Sequence, residues 1–221
     1  MPESSSAKKN RAFAILKGLK RQYPTAKCSL NYKSPVQLLV STVLSAQCTD
    51  KRVNMTTPAL FSRYKTAKAF AEADIKELEG LIKSTGFYRN KAKNIKAACR
   101  IIVNEHKGQV PKTMEKMLQL PGVARKTANI VLGNAYGVIE GIPVDTHAIR
   151  ISRLLGLTKS RNPVIIERDL MKLLPKKEWC NMSDLFVHHG RAICIARRPV
   201  CSKCPVSNLC PKNGLRKSEM R

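Results

Sequence analysis

Apolar and polar positions alternate along this chain with the period of amphipathic helices. Ser34 and Pro35 form an N-cap and first-turn pair. Val36, Leu39, Val40, Val43 and Leu44 follow at the spacing that lines one helical face. The same periodicity returns over residues 59–71, 75–82, 92–103, 114–118, 128–135, 148–157 and 164–174. Helix breakers separate these runs: Gly86, Gly108 with Pro111, Pro121 with Gly122, Gly137, Gly141 with Pro143, Asn162 with Pro163, and Pro175. Strand-like alternation bounded by hairpin turns is not evident, and no internal repeat or long linker stands out. The pattern predicts an all-α fold.

Composition adds a partner to this picture. The 221 residues are 43% hydrophobic but only 5% aromatic, so the core must be mostly aliphatic. Such a length suits one domain or two small ones. Lys and Arg number 41 against 15 Asp and Glu, a net charge of +26. That excess implies a polyanion, with nucleic acid ahead of an anionic membrane surface. No apolar run approaches the roughly 18 residues of a membrane span, and the polar start over residues 1–11 does not resemble a secretory signal. The expected location is the cytoplasm, at the nucleoid if the cell is prokaryotic. In that compartment eight cysteines are ligands or buried thiols rather than disulfides.

The cysteines divide into two groups. Cys28, Cys48, Cys99 and Cys180 are scattered, as small buried hydrophobes would be. Cys194, Cys201, Cys204 and Cys210 follow the spacing C-x6-C-x2-C-x5-C. Four thiolates so close can wrap one metal centre. A [4Fe–4S] cluster takes four Cys, and tetrahedral zinc is the competitor. Structural zinc sites favour two Cys-x-x-Cys knuckles, and only Cys201 and Cys204 make one here, so the spacing leans to iron–sulfur. Buried free thiols are the remaining alternative. Arg197, Arg198 and Lys203 lie within this loop and suit a phosphate-contacting face, whereas residues 212–221 read as a solvated basic tail.

The stretch from Met114 to Asn129 reads as helix, four-residue turn, helix. Pro121 ends the first helix and Gly122 permits a positive φ. The second helix then starts with free N–H groups, which suit a phosphate. Such a hairpin grips the backbone of nucleic acid rather than base edges. Lys126 falls in the first turn, where the helix dipole and Arg125 both disfavour its ammonium form. That makes it a candidate amine nucleophile; the alternative is one more basic residue touching phosphate.

Five stretches together carry a resemblance. They are Leu44-Ser45-Ala46-Gln47-Cys48-Thr49-Asp50, Gly86-Phe87-Tyr88-Arg89-Asn90-Lys91-Ala92, the hairpin Leu120-Pro121-Gly122-Val123-Ala124-Arg125-Lys126-Thr127-Ala128, Val144-Asp145-Thr146-His147, and the four-cysteine loop. The chain resembles the endonuclease III family of DNA glycosylases in all five, in the family's order, from about Tyr23 to Cys210. The resemblance implies two helical domains flanking a DNA-binding cleft. Residues 28–139 would form a helical barrel domain with the hairpin; residues 1–27 and 140–221 would form the domain holding a [4Fe–4S] cluster on Cys194, Cys201, Cys204 and Cys210. It also implies a monomer that acts on double-stranded DNA containing damaged pyrimidines or abasic sites. Such an enzyme excises oxidised pyrimidines and then nicks the strand by β-elimination.

The resemblance also assigns roles. A base inside a duplex must be turned out of the stack before it can be attacked. Gln47 matches the residue that fills the vacated hole, and Phe87 matches an apolar wedge, although Phe87 read alone could be a core aromatic. Leu120, Gly122, Ala124 and Arg125 belong to the DNA-gripping hairpin, and Thr146 and His147 to a further DNA contact. Lys126 resembles the nucleophile and Asp145 the catalytic carboxylate, although Asp145 could simply cap the helix that follows it. His188 and His189 suit core packing or support of the cluster domain. One departure stands out: the family's second hairpin glycine is Ala124, which weakens binding if that position needs a positive φ and is harmless otherwise; the expectation is modest weakening rather than loss of function. Two other functions share some of these features. One is a mismatch-specific thymine or uracil DNA glycosylase, which generally lacks the hairpin lysine. The other is a non-catalytic, metal-stabilised DNA-binding protein, for which Lys126 and Asp145 would be coincidental.

Overall fold

The computed structural model describes residues 3–216 and Ser218; Lys217 and residues 219–221 of the basic tail, with the first two residues, lie outside the described residues. Among the described residues there are eleven α-helices and no strand. The chain divides into two compact units, Ser29–Glu140 and Met1–Cys28 with Gly141–Arg221. It opens with α1 (Ser5–Gln22) and passes through α2 (Pro35–Leu44), α3 (Asp50–Arg63), α4 (Ala67–Glu72), α5 (Ile75–Ile82), α6 (Tyr88–His106), α7 (Met114–Leu118) and α8 (Arg125–Tyr136). It returns to the unit of α1 with α9 (Thr146–Leu154), α10 (Pro163–Leu173) and α11 (Trp179–Ala192).

Helix starts depend on side chains that accept the first free N–H groups. Ser34 accepts from Gln37 ahead of Pro35 at the first helical position. Thr49, Thr66, Asp74, Thr113 and Asn162 cap α3, α4, α5, α7 and α10 in the same way. Each such cap stabilises its helix by about 1 kcal/mol. The apolar run 59–71, which reads as one segment, is divided between α3 and α4. Tyr64 is extended and ends α3, and Thr66 caps α4 by accepting from the Ala69 N–H. A local polar bond thus breaks a helix that apolar periodicity alone would continue.

In the Ser29–Glu140 unit, α2 packs on α8, α4 and α5 on α6, α3 on α5, and α7 on α8. Leu38, Leu39, Leu44, Leu60, Phe70, Leu78, Ile82 and Ile95 fill its interior. In the other unit, α1 packs on α10 and α11, and α9 on α11. Ala12, Ile15, Leu16 and Leu19 form one stripe of α1 and meet Ile151, Leu170, Leu185 and Phe186. Cys194, Cys204 and Cys210 pack against this same core. A Cβ on Gly18 would come 2.7 Å from Val206 Cγ1, so α1 lies directly on the cysteine loop. No described helix is long and apolar enough to cross a membrane.

Candidate active site and cysteine loop

The hairpin forms as its sequence requires. Gly122 has φ +77°, and a Cβ there would lie 2.9 Å from Asn94 Cβ, so conformation and space both demand glycine. The Val123 N–H donates to Leu120 O at 3.1 Å and closes the turn. Leu120 is buried, so its side chain packs inward. Ala124 has φ −90° and ψ 170°, extended backbone open to any residue, at the N-cap of α8. Its methyl group therefore introduces no strain, and because Ala offers no capping side chain, the helix start keeps its N–H groups for another acceptor. Arg125 and Lys126 are the first two residues of α8, Lys126 being exposed.

Three exposed non-glycine residues of the same unit have left-handed backbone: Gln47, Phe87 and Lys107, the last ending α6. Gln47, between α2 and α3, has φ 51°, and Phe87, at the start of α6, has φ 47°. Outside glycine this conformation costs about 1–2 kcal/mol. Phe87 is 64% exposed, which removes the core-aromatic alternative. A left-handed backbone and an exposed aromatic ring are both unfavourable in isolation. Lys91 has an environment that the sequence did not reveal. It is 4% exposed, and its Nζ donates to Leu44 O and Thr85 O, each at 2.8 Å.

In the other unit, Asp145 is the N-cap of α9, its Oδ1 accepting from the Ala148 N–H at 2.7 Å. The capping role is therefore real, and half of the carboxylate's acceptor capacity is still available. Thr146 is exposed in the first turn. His147 lies against the Gly190 backbone, where a Cβ would come within 2.3 Å of its Nδ1. Asp184 on α11 is a neighbour that sequence reading missed. Burial pushes its carboxyl up to about 6, while nearby His188 opposes and Asp145 reinforces the shift; Cys180 also senses its charge.

That raised value has a consequence for stability. An unfolded Asp titrates near 3.9. Stability gained from neutral Asp184 is therefore complete below about pH 4 and lost as pH rises through about 6. Asp184→Asn, which cannot ionise, should raise the melting temperature by several degrees at pH 8, on the order of 1–3 kcal/mol. The gain should vanish at pH 4. Thermal melts at the two pH values check this, and equal shifts at both would show that the charge of Asp184 is not the cause.

The four clustered cysteines line one apolar cavity together with Ile151, His189, Ile193 and Val206. Burial pushes the Cys194 thiol up to about 11 and those of Cys204 and Cys210 upward as well. Buried thiols of this kind become stable thiolates when a cationic metal centre balances them. The walls supply donors: the Lys212 N–H points at Cys210 Sγ at 3.3 Å, and His189 Nε2 lies 3.5 Å from Cys204 Sγ. The other nitrogen of His189 is hydrogen-bonded to the Tyr23 hydroxyl at 3.1 Å. Arg150 donates to Cys194 O and Gly190 O. Among the described residues, no three His, Cys, Asp or Glu side chains are gathered to hold a single metal ion.

An all-helical fold with this hairpin defines a class: residues 40–176 match the HhH-GPD superfamily of base excision DNA repair proteins. Endonuclease III of Synechocystis sp. is 59% identical over 206 residues, 93% of this chain and 94% of that protein. A solved endonuclease III in non-covalent complex with DNA is 39% identical, with TM-score 0.88, covering 92% of this chain and 95% of the other. A trapped endonuclease III–DNA covalent intermediate is 40% identical with the same TM-score, covering 92% of this chain and 96% of the other. Within that superfamily, the chain belongs to the endonuclease III family.

Proposed function

We propose that this base-excision DNA glycosylase and AP lyase removes oxidised pyrimidines from double-stranded DNA and cuts the strand through a Schiff base on Lys126. The observation that carries the reading is the exposed Lys126 in the first turn of α8, directly after a glycine-dependent hairpin, in a chain this close to endonuclease III. The hairpin, through Gly122, Ala124 and Arg125, holds the phosphate backbone at the start of α8. Gln47 fills the hole left by the extruded nucleotide and Phe87 unstacks the neighbouring step. Thr146 and His147 contact the strand at the start of α9.

Neutral Nζ of Lys126 bonds to C1′ of the extruded nucleotide, and the base leaves with the glycosidic electron pair. Asp145 stabilises the cationic sugar as the base departs. The nitrogen then loses a proton as the C1′–O4′ bond breaks and O4′ takes up a proton, opening the sugar to a Schiff base; the C2′ proton is now acidic, and its removal expels the 3′ phosphate and breaks the strand. That a solved relative forms a trapped covalent intermediate supports this route. Each step uses groups with free valence: an exposed amine, and a carboxylate with one oxygen left over from its cap.

Cys194, Cys201, Cys204 and Cys210 would hold the [4Fe–4S] cluster that the family generally carries, a reading supported by their shared cavity and upward-shifted thiols. When bound, the cluster supplies a four-point cross-link of the loop to the core of α1 and α9–α11, with Arg197, Arg198 and Lys203 carried on its surface. We assign Ser29–Glu140 to a hairpin domain and the remainder to a cluster domain, acting as a monomer in the cytoplasm.

The deciding experiment incubates the purified protein with thymine-glycol duplex and with a G·T mismatch duplex, with and without borohydride. A cleaved thymine-glycol strand and a borohydride-dependent crosslink are expected, with the mismatch intact. Excision confined to the mismatch, without strand cleavage, would establish the thymine glycosylase instead. Binding without excision of either would leave a DNA-binding protein.

A further inference from the structure

A buried lysine needs an explanation. Packing alone would be served by leucine or methionine, and an ammonium taken out of water is unfavourable unless hydrogen-bonded. Lys91 is 4% exposed, and burial holds its amine below the usual lysine range, with Cys48 opposing. Its partners are two carbonyls rather than a carboxylate. Leu44 O belongs to the last residue of α2 and Thr85 O to the last residue of the short 3-10 turn Lys83–Thr85. Carbonyls at helix ends lack intrahelical donors and carry partial negative charge. One ammonium therefore caps two helix ends at once.

Both of those ends lead directly into strained, exposed positions. Gln47 comes three residues after Leu44 and Phe87 two after Thr85; both are exposed with left-handed backbone, as is Lys107 at the far end of α6. Further bonds make both connections short. Ser45 Oγ donates to Thr42 O, the Cys48 N–H donates to Ser45 O, and Thr85 Oγ1 donates to Ile82 O. Lys91 itself is fixed on α6, its N–H donating to Phe87 O.

We infer that Lys91 is a positioning residue for base extrusion: its buried ammonium ties the turn carrying Gln47 to the turn carrying Phe87, so that both side chains enter the duplex in register. This rests on the assignment of Gln47 and Phe87 as the groups that probe the duplex. Lys91 touches neither substrate nor the reacting atoms. Without its bonds each turn keeps its own fold but loses its reference to the other. Misplacement of about 1 Å at a reacting geometry can lower a rate on the order of 100-fold.

The test separates extrusion from chemistry. Lys91→Met keeps the aliphatic stem and removes the donors. Its rate is measured on thymine-glycol duplex and, for β-elimination alone, on a single-stranded abasic oligonucleotide that has no stack to open. The ratio of duplex to single-strand rate should fall on the order of tenfold or more, with the single-strand rate within about twofold of the parent. Fluorescence of 2-aminopurine placed opposite the lesion, which reports unstacking, should fall in the same proportion. An unchanged ratio overturns the inference, whether both rates are intact or both reduced, because a general loss of folding lowers them together. If Lys91→Met does not fold, Lys91→Arg carries the test: it keeps the charge and shifts the meeting point, and the same duplex-selective loss is expected. Phe87→Ala and Gln47→Ala locate any failure. If neither lowers duplex excision, the probe assignment and this inference fall together. If both lower it while Lys91→Met leaves the ratio intact, the inference about Lys91 alone falls.

Discussion

Lys126→Gln is expected to abolish borohydride-trapped crosslinks to abasic and damaged DNA while the protein still binds the duplex. Covalent catalysis through an amine has no substitute in a glutamine amide, whose nitrogen lone pair is delocalised. Strand cleavage should therefore fall at least on the order of 1,000-fold, equivalent to about 4 kcal/mol of transition-state stabilisation. The fold should not register the change: Lys126 is exposed in the first turn of α8, where a surface substitution shifts stability by about 0.5 kcal/mol or less. Binding should persist because the hairpin presents backbone N–H groups, which the substitution leaves in place, and because 41 Lys and Arg residues share the phosphate contacts. Electrophoretic trapping and a gel-shift titration on the same preparation check both halves. Undiminished trapping would remove Lys126 from the chemistry, and loss of binding alone would reduce it to a phosphate contact.

The hairpin was legible because its determinants are local. Pro121 and Gly122 fix the turn by their own conformational limits, and the observed φ of +77° at Gly122 is the one glycine permits. The cap on α9 was legible for the same reason, since an N-cap acts over three residues. Ala124 could be posed as a question but not answered, because its effect depends on a backbone angle that its identity does not set; at φ −90° it is compatible with the turn. The break between α3 and α4 was missed because a Thr66 cap counts for more than continuing apolar periodicity. Lys91 was least legible of all. Its partners are main-chain carbonyls, one of them 47 residues away, and carbonyls carry no sequence signature. Asp184 is similar: its raised value comes from burial and from the neighbours that packing brings to α11.

Asp145→Asn separates the two roles that one side chain holds. Oδ1 accepts from the Ala148 N–H at 2.7 Å, and asparagine presents the same acceptor and caps helices as well as aspartate does. The melting temperature should therefore stay within a few degrees of the parent. The negative charge is lost, and with it stabilisation of the cationic sugar as the base leaves. Strand cleavage should fall on the order of 100- to 10,000-fold, the range typical of a positioned acid or base. The neighbouring carboxyl supplies a second readout. The charge of Asp145 helps to raise the Asp184 value, so in Asp145→Asn Asp184 should titrate below about 6, which carboxyl carbon NMR can track. Near-normal cleavage with an unshifted melting temperature would confine Asp145 to its cap. Unfolding of the variant would contradict the capping equivalence itself, since the only bond the carboxylate is seen to make within α9 is one that an amide oxygen also makes.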